Sequence, residues 1–268
     1  CALPISAAFI GLGSYSGAIL QNAGLNLVLA WVLAAAITII FAALLGSAIL
    51  RVKGHYFAVG SIAVVEVLRL ITSSWASFTG GGDGLNVKIM EGGPDFVGRV
   101  FLYSMLFVML LAFLTTLWVD RSKFGFGLKA IKQNEDAADM VGVNVTLYKI
   151  AAFSLSAVYC GAIGAIYASW IGYIAPVDAF SIITTLKVPV MVLLGGEGTV
   201  FGPVLGAIII IALENKLGDL GTWMAKISHV EWFNTIGESV TMVTGLIFVI
   251  CVLAFRRGII GELAARLR

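Results

Sequence analysis

Long uncharged apolar runs alternate with short polar segments along this chain. The first charged residue is Arg51, and two later uncharged runs occupy residues 100–119 and 150–175. A helix that crosses a bilayer needs about 20 predominantly apolar residues. The pattern therefore predicts membrane-spanning helices rather than the core of a water-soluble domain.

The predicted fold is an all-α polytopic membrane protein with about eight membrane segments, some of them short or discontinuous. Gly24 and Asn26 mark the turn between the first two passes. Residues 76–99 are predicted to form a glycine-rich loop, and residues 214–235 a polar stretch at the membrane interface. The full passes are predicted at 3–22, 27–50, 56–75, 100–119, 150–171 and 236–255.

Composition agrees with a membrane environment. Hydrophobic residues make up 60% of the chain and charged residues 12%, whereas soluble domains carry about 25% charged residues. We expect a single transmembrane domain over residues 1–268. The net charge of +2 comes with basic residues spread along the chain, which does not indicate nucleic-acid binding. Cys1, Cys160 and Cys251 lie far apart, so neither a disulfide framework nor a metal site is predicted.

The distribution of Lys and Arg predicts the orientation, because cytoplasmic loops carry an excess of these residues. Basic residues concentrate in the polar segment, defined as residues 120–149, and in the tail at 256–268. Both are predicted to be cytoplasmic, as is the short loop at 51–53. The glycine-rich loop at 76–99 then lies outside.

The apolar region at 182–213 is interrupted by polar or helix-breaking residues at 186–190 and 195–203. The predicted orientation requires an even number of crossings between the polar segment and the tail. Two short, hinged helices satisfy that requirement, and discontinuous helices of this kind line paths in transporters. Gly195 and Gly196 are therefore candidates for a path or gate, although close helix packing is the other interpretation.

The polar segment carries the signals of a short capped helix. Asn134 is a good N-cap residue, and Glu135 and Asp136 follow in the first turn, where the helix dipole favours anions. Gly142 is placed to end the helix in the left-handed conformation. The predicted helix has about eight residues and a length of roughly 12 Å. One small apolar face is predicted from Ala137, Ala138 and Val141. Such a helix suits either a solvated interfacial loop or docking onto a cytoplasmic partner.

Several motifs together carry a resemblance to a known family. "EDAADMVG" resembles the Glu-Ala-Ala-x-x-x-Gly coupling motif of ABC importer permeases, with Asp136 inserted before the alanine pair and without the Leu-Pro end. In order, "AAFIGLGSYSGAIL", "GHYFAVGSIAVVEVLRL", "TGGGDGL", "FGFGLKAIKQNEDAADMVGVNVTLYK" and "VMVLLGGEGTVFGPVLGA" resemble the inner-membrane permease subunits of branched-chain amino acid ABC importers. The resemblance covers residues 7–215. Family members carry further N-terminal membrane residues, so the N-terminus is expected to be truncated.

The resemblance implies a partner set and a role for the polar segment. Such a permease forms half of a path for amino acids across the bacterial inner membrane, surrounded by lipid and paired with a second homologous permease. Two cytoplasmic ATP-binding subunits drive it, and an external, periplasmic binding protein delivers the substrate. Glu135, Ala137, Ala138 and Gly142 are expected to contact the ATPase. The chain has no GxxxxGK[ST] phosphate loop, so we expect ATP on the partner subunits and no catalytic, cofactor or metal site here.

Two further groups are candidates for the path or gate. Glu66 and Arg69 lie three residues apart in the third pass, so they share a helix face. A structural ion pair toward the outer end and a gating or substrate role both remain open. The turn "TGGGDG" at 79–84, with candidate residues Gly80, Gly81, Gly82 and Asp83, is either a flexible turn or a surface facing the binding protein or path.

Alternative functions also remain open. Related ABC importers for urea or short amides share much of this pattern. A stand-alone secondary transporter or channel is less well supported, because only Glu66 is an evident candidate for ion coupling within a span.

Overall fold

The computed structural model describes residues 5–50, 55–90, 92–196 and 198–228. Helices dominate these residues, with a 3-10 turn at Gly81–Asp83 and two short strands, β1 (Leu85–Asn86) and β2 (Tyr173–Ile174), which pair antiparallel. The helices are α1 (Ser6–Asn22), α2 (Leu27–Ile49), α3 (His55–Ser74), α4 (Ala76–Thr79), α5 (Pro94–Arg121), α6 (Lys123–Gln133), α7 (Glu135–Met140), α8 (Val145–Ile171), α9 (Pro176–Ala179), α10 (Ile182–Gly195) and α11 (Gly202–Ser228).

Four of the described helices, α2, α3, α5 and α8, are long and apolar enough to cross a membrane. In lipid a helix satisfies its own backbone N–H and C=O groups, which is why uncharged runs of this length fold in this way. The all-α polytopic fold predicted from the sequence is confirmed. Two of these boundaries differ from the prediction by five residues or more: α5 begins at Pro94 rather than at 100, and α8 begins at Val145 rather than at 150.

The sequence predicts two interruptions in the 182–213 region. The one at 195–203 is confirmed, and the one at 186–190 is wrong. Helix α10 runs without a break through Pro189, so there is no interruption at 186–190. Membrane helices tolerate an internal proline because neighbouring groups can satisfy the freed carbonyl. The break between α10 and α11 falls within the predicted interval 195–203. Helix α11 continues to Ser228 through much of the predicted polar stretch, and the predicted pass at 236–255 lies outside the described residues.

The described residues divide into two compact units, one up to residue 185 and the other from 186 to 228. In the first unit, α8 packs against α1 and α2. The approach of α1 to α8 is very close, since a Cβ atom on Gly13 would lie 2.2 Å from the carbonyl oxygen of Gly161. Ser14 Oγ donates a hydrogen bond of 2.9 Å to the carbonyl of Gly164. Small residues that let backbones approach are typical of membrane helix interfaces.

A buried polar cluster joins the same three helices. The indole Nε1 of Trp31 on α2 donates to Ser169 Oγ on α8 at 2.9 Å. Gln21 Nε2 on α1 donates to the same hydroxyl oxygen. Apolar helix surfaces gain little free energy when they leave lipid to contact each other. Hydrogen bonds between helices therefore help to hold the bundle together. Helix α8 is therefore the central element of the first unit.

Helices α5 and α8 also separate the two ends of this unit. Each helix joins the polar segment at one end to the β1–β2 region at the other end. Helix α8 has 27 residues and so spans about 40 Å. The polar segment and the glycine-rich loop therefore lie at opposite ends, as the predicted orientation requires.

Candidate functional site

The polar segment folds as two helices held against the start of α8. Ser122 Oγ accepts a hydrogen bond from the N–H of Gly125 at 3.1 Å and so caps α6. The ring of Phe124 stacks on Tyr148 of α8, with the ring centroids 5.2 Å apart. A Cβ atom on Gly127 would lie 2.3 Å from the same tyrosine ring. Helix α6 is thus fixed to α8 by close aromatic packing.

Helix α7 begins at Glu135, directly after the predicted N-cap, and ends at Met140, two residues before Gly142. Asn134 Oδ1 accepts hydrogen bonds from the N–H groups of Asp136 and Ala137, at 3.0 and 3.1 Å. This side chain satisfies donors that the first turn leaves unpaired. Gly142 has a φ of +87° and follows the helix end. The helix has six residues rather than the predicted eight, and the inserted Asp136 lies in its first turn.

Glu135 connects α7 to α8. Lys149 Nζ donates to Glu135 Oε1 at 2.5 Å, and both side chains are partly buried. An ion pair between the first residue of α7 and the second turn of α8 fixes the direction in which α7 leaves the bundle.

The predicted single apolar face of α7 is divided in the structure. Ala138 is only 2% exposed and faces the rest of the chain, whereas Val141 is 77% exposed and Ala137 is also exposed. A six-residue helix fixed on two neighbours has to bury one side, and Ala138 lies on that side. Met140, which the sequence did not single out, is 83% exposed beside Val141.

A cavity of about 400 Å³ opens beside α7. It is lined by Glu135, Asp136 and Asp139 and by residues 142–146. The exposed side of α7 therefore combines an acidic groove with the apolar side chains of Met140 and Val141. A surface of this kind favours a partner that offers basic and apolar side chains together.

The glycine-rich turn, residues 79–84, is ordered by specific contacts at the opposite end of the unit. Gly80 and Gly84 have φ values of +75° and +76° on either side of the 3-10 turn. The hydroxyl of Tyr173 donates to the carbonyl oxygen of Asp83 at 2.6 Å. Strand β1 follows the turn and pairs with β2, with Leu85 opposite Ile174. The turn is thus held by the Tyr173 hydrogen bond and by the β1–β2 pairing. It contains all four candidate gate residues, Gly80, Gly81, Gly82 and Asp83.

Glu66 and Arg69 form the ion pair that their spacing predicts. Arg69 Nε donates to Glu66 Oε2 at 3.0 Å, and Nη2 donates to Oε1 at 2.5 Å. Along α3 (His55–Ser74), Glu66 lies eight residues and Arg69 five residues before the end at Ser74. Along the chain, this pair lies before both the glycine-rich turn and the polar segment and belongs to neither.

Gly195 and Gly196 belong to the second unit and lie where α10 ends. A Cβ atom on Gly195 would lie 1.7 Å from the carbonyl oxygen of Gly202. Gly196 has a φ of +121°. Both features show a tight junction between α10 and α11, which agrees with the packing interpretation.

A family model described as "branched-chain amino acid transport system / permease component" matches residues 6–256. The chain belongs to this family. The resemblance carried by the sequence motifs is thereby confirmed.

The curated proteins that this chain resembles are named for different cargoes. The chain is 25% identical over 242 residues to the high-affinity branched-chain amino acid transport system permease protein LivM of Salmonella typhimurium, covering 80% of this chain and 57% of that protein. The corresponding Escherichia coli protein is 24% identical over the same lengths. A fructose import permease protein of Rhizobium meliloti is 29% identical over 127 residues, 46% of this chain and 35% of that protein. The chain thus spans 57% of the length of the first two relatives. No solved structure matches it.

The Lys149–Glu135 ion pair and the Phe124–Tyr148 ring contact were not predicted from the sequence. In the sequence, Lys149 is one of the basic residues of the polar segment, and neither it nor Tyr148 carries a signal that identifies its partner. Asn144 was the available signal, because its Oδ1 caps α8 by accepting from the N–H of Leu147 at 3.0 Å. An N-cap there places residues 148 and 149 in the second helical turn, next to α6 and α7.

Proposed function

We propose that this chain forms one half of the transmembrane path of an ATP-driven importer, with branched-chain amino acids as its cargo. The family match over residues 6–256 carries the proposal. The two LivM relatives, which are named as branched-chain amino acid permeases, support the choice of cargo. A second, homologous permease completes the path in this proposal.

Helix α7 is proposed to dock onto a cytoplasmic ATPase subunit. One side of α7 is held by Ala138 and the Glu135–Lys149 ion pair, while Met140 and Val141 are exposed. A push on the exposed side therefore acts on α8 and, through its close packing, on α1 and α2. ATP is bound and hydrolysed by the partner subunits, and this chain supplies no bond chemistry in the proposed cycle.

The glycine-rich turn is proposed to face an external binding protein that delivers the cargo. The turn is tied to the far end of α8 through Tyr173 and the β1–β2 pair. A movement of α8 would therefore reach the turn as well as α7. Helix α8 links the two proposed partner surfaces within one element.

A sugar is the second candidate cargo. Besides the fructose permease, a xylose transport system permease protein of Haemophilus influenzae is 32% identical over 125 residues, 44% of this chain and 32% of that protein. These matches cover less of the chain than the LivM matches. We therefore place branched-chain amino acids first.

Reconstitution tests the proposal. The chain, its permease partner, two ATPase subunits and the binding protein are placed in proteoliposomes, and uptake of leucine, xylose and urea is compared with ATP or ADP on the ATPase side. We expect ATP-dependent leucine uptake. Uptake of xylose or urea without leucine would reassign the cargo. Equal leucine uptake without the ATPase subunits would replace the importer with a secondary transporter.

A further inference from the structure

The Glu66–Arg69 pair lies at membrane depth. Glu66 is eleven residues after the start of α3 at His55 and eight before its end at Ser74, so it is at least about 12 Å from either end. Helix α3 is otherwise apolar enough to cross a membrane. Ionised side chains are costly in hydrocarbon and almost always face a bundle interior or a water-filled cavity.

The pair lies on a face of α3 that the described residues leave open. The side chain of Glu66 is 36% exposed and that of Arg69 is 28% exposed. Val59, Ala63 and Leu70 are exposed at helical spacings from Glu66, which places them on the same side of α3. A face with two charges within a membrane-spanning helix does not suit lipid. It suits the water-accessible path between two permease halves.

The pair keeps hydrogen-bonding capacity for a ligand. A guanidinium has five N–H donors and a carboxylate has about four lone-pair positions. The contacts between Arg69 and Glu66 use one N–H of Nε, one of Nη2 and one lone pair on each carboxylate oxygen. The remaining N–H donors of Arg69 and the remaining lone pairs of Glu66 are therefore available to a ligand. The ion pair fixes their order along one helix face, with acceptors at Glu66 and donors at Arg69.

We propose that Glu66 and Arg69 form the amino-acid site of the path, where Glu66 binds the α-ammonium group and Arg69 binds the α-carboxylate of a zwitterion. Val59, Ala63 and Leu70 then lie beside the aliphatic side chain. This site rests on the proposed function, since it needs an amino acid as cargo. A zwitterion matches both charges without adding net charge, whereas a neutral sugar matches neither.

The test uses the complete reconstituted importer, with the same binding protein in every arm. E66Q and R69Q are each expected to lower leucine uptake at least about tenfold, because a hydrogen bond to a charged group is lost. ATPase activity stimulated by the binding protein is expected to persist, so the ATP hydrolysed per leucine rises. A role confined to folding would lower both rates together and leave that ratio unchanged.

The charge-swapped variant E66R/R69E is the matched control. It keeps an ion pair at the same spacing but reverses its direction, so the ammonium and carboxylate groups have to exchange places. We expect this variant to assemble with its partners and still to import leucine at least about tenfold more slowly. Uptake equal to that of the wild type would overturn the proposed site and leave only a structural pair.

Cysteine protection gives a second measurement that depends on no charged substitution. A63C lies one turn before Glu66 on the same face, and L106C lies in the middle of the apolar helix α5. A63C is expected to react with a water-soluble methanethiosulfonate and to be protected by leucine at least about fivefold more than by xylose. L106C is expected not to react. Labelling of A63C that leucine does not slow would overturn the site.

The wild-type protein separates the two proposals. Absence of ATP-dependent leucine uptake by the wild type would overturn the proposed function and, with it, the amino-acid site. Leucine uptake by the wild type, together with either wild-type uptake by the swap or labelling of A63C that leucine does not slow, would overturn the site alone.

Discussion

Lys149 of α8 holds Glu135 of α7 in an ion pair with an N–O distance of 2.5 Å. The pair joins the proposed docking helix to the central helix of the first unit. We predict that E135Q and K149Q each weaken the coupling of ATP hydrolysis to leucine uptake several-fold. Pairs exposed to this degree contribute about 1 kcal/mol or less to stability, so membrane levels should change little. The measurement is the ratio of leucine imported to ATP hydrolysed in proteoliposomes.

The swap E135K/K149E distinguishes two roles of Glu135. Coupling should recover in the swap if Glu135 acts through Lys149, and the double-mutant cycle gives the interaction energy between them. If Glu135 binds the ATPase directly, as expected from the resemblance, the reversed charge would block docking. In that case the swap would be no better than E135Q.

Ala137 and Ala138 should respond differently to enlargement. Ala138 is buried against its own chain, so A138L overpacks the α7 contact at a cost of typically 1–3 kcal/mol. A137L projects from the exposed side, so it should leave the melting temperature unchanged and weaken ATPase binding. Thermal unfolding and co-purification with the ATPase measure the two effects. Equal loss of stability in both variants would contradict the division of the α7 face.

Gly142 is predicted to be required for its backbone conformation. Its φ of +87° is left-handed, and a Cβ atom placed there would meet nothing within 4 Å. G142V should therefore uncouple transport while the protein stays in the membrane, since a β-branched residue is a genuine outlier at positive φ. G142N should retain most of the activity, because asparagine tolerates this region. Equal loss in G142V and G142N would point to the size of the side chain instead.

Local features of this fold were predictable from the sequence. Length and continuous hydrophobicity identified α2, α3, α5 and α8 because a span is defined by those two properties. The Asn134 cap and the left-handed Gly142 were predictable because each acts within a few residues. The spacing of Glu66 and Arg69 likewise predicted their pairing.

Features that join distant parts of the chain were not predictable in this way. The bonds from Lys149 to Glu135 and from Tyr173 to Asp83 depend on how separate elements pack. The inward direction of Ala138 follows from the two helices that α7 contacts, not from its own sequence. Pro189 predicts a break, but α10 continues through it, because a proline that disrupts a helix in water can be accommodated in a membrane helix.

Asp83 is predicted to be accessible from outside the cell and close to the bound binding protein. Its side chain is exposed, and only its backbone carbonyl accepts the bond from Tyr173, so D83C should keep the turn intact. In intact cells with the outer membrane permeabilised, an impermeant maleimide should label D83C but not V141C, which lies on the exposed side of α7. A bifunctional reagent should then crosslink D83C to the loaded binding protein. Labelling of V141C alone would reverse the predicted orientation, and labelled D83C that never crosslinks would remove the turn from the proposed delivery surface.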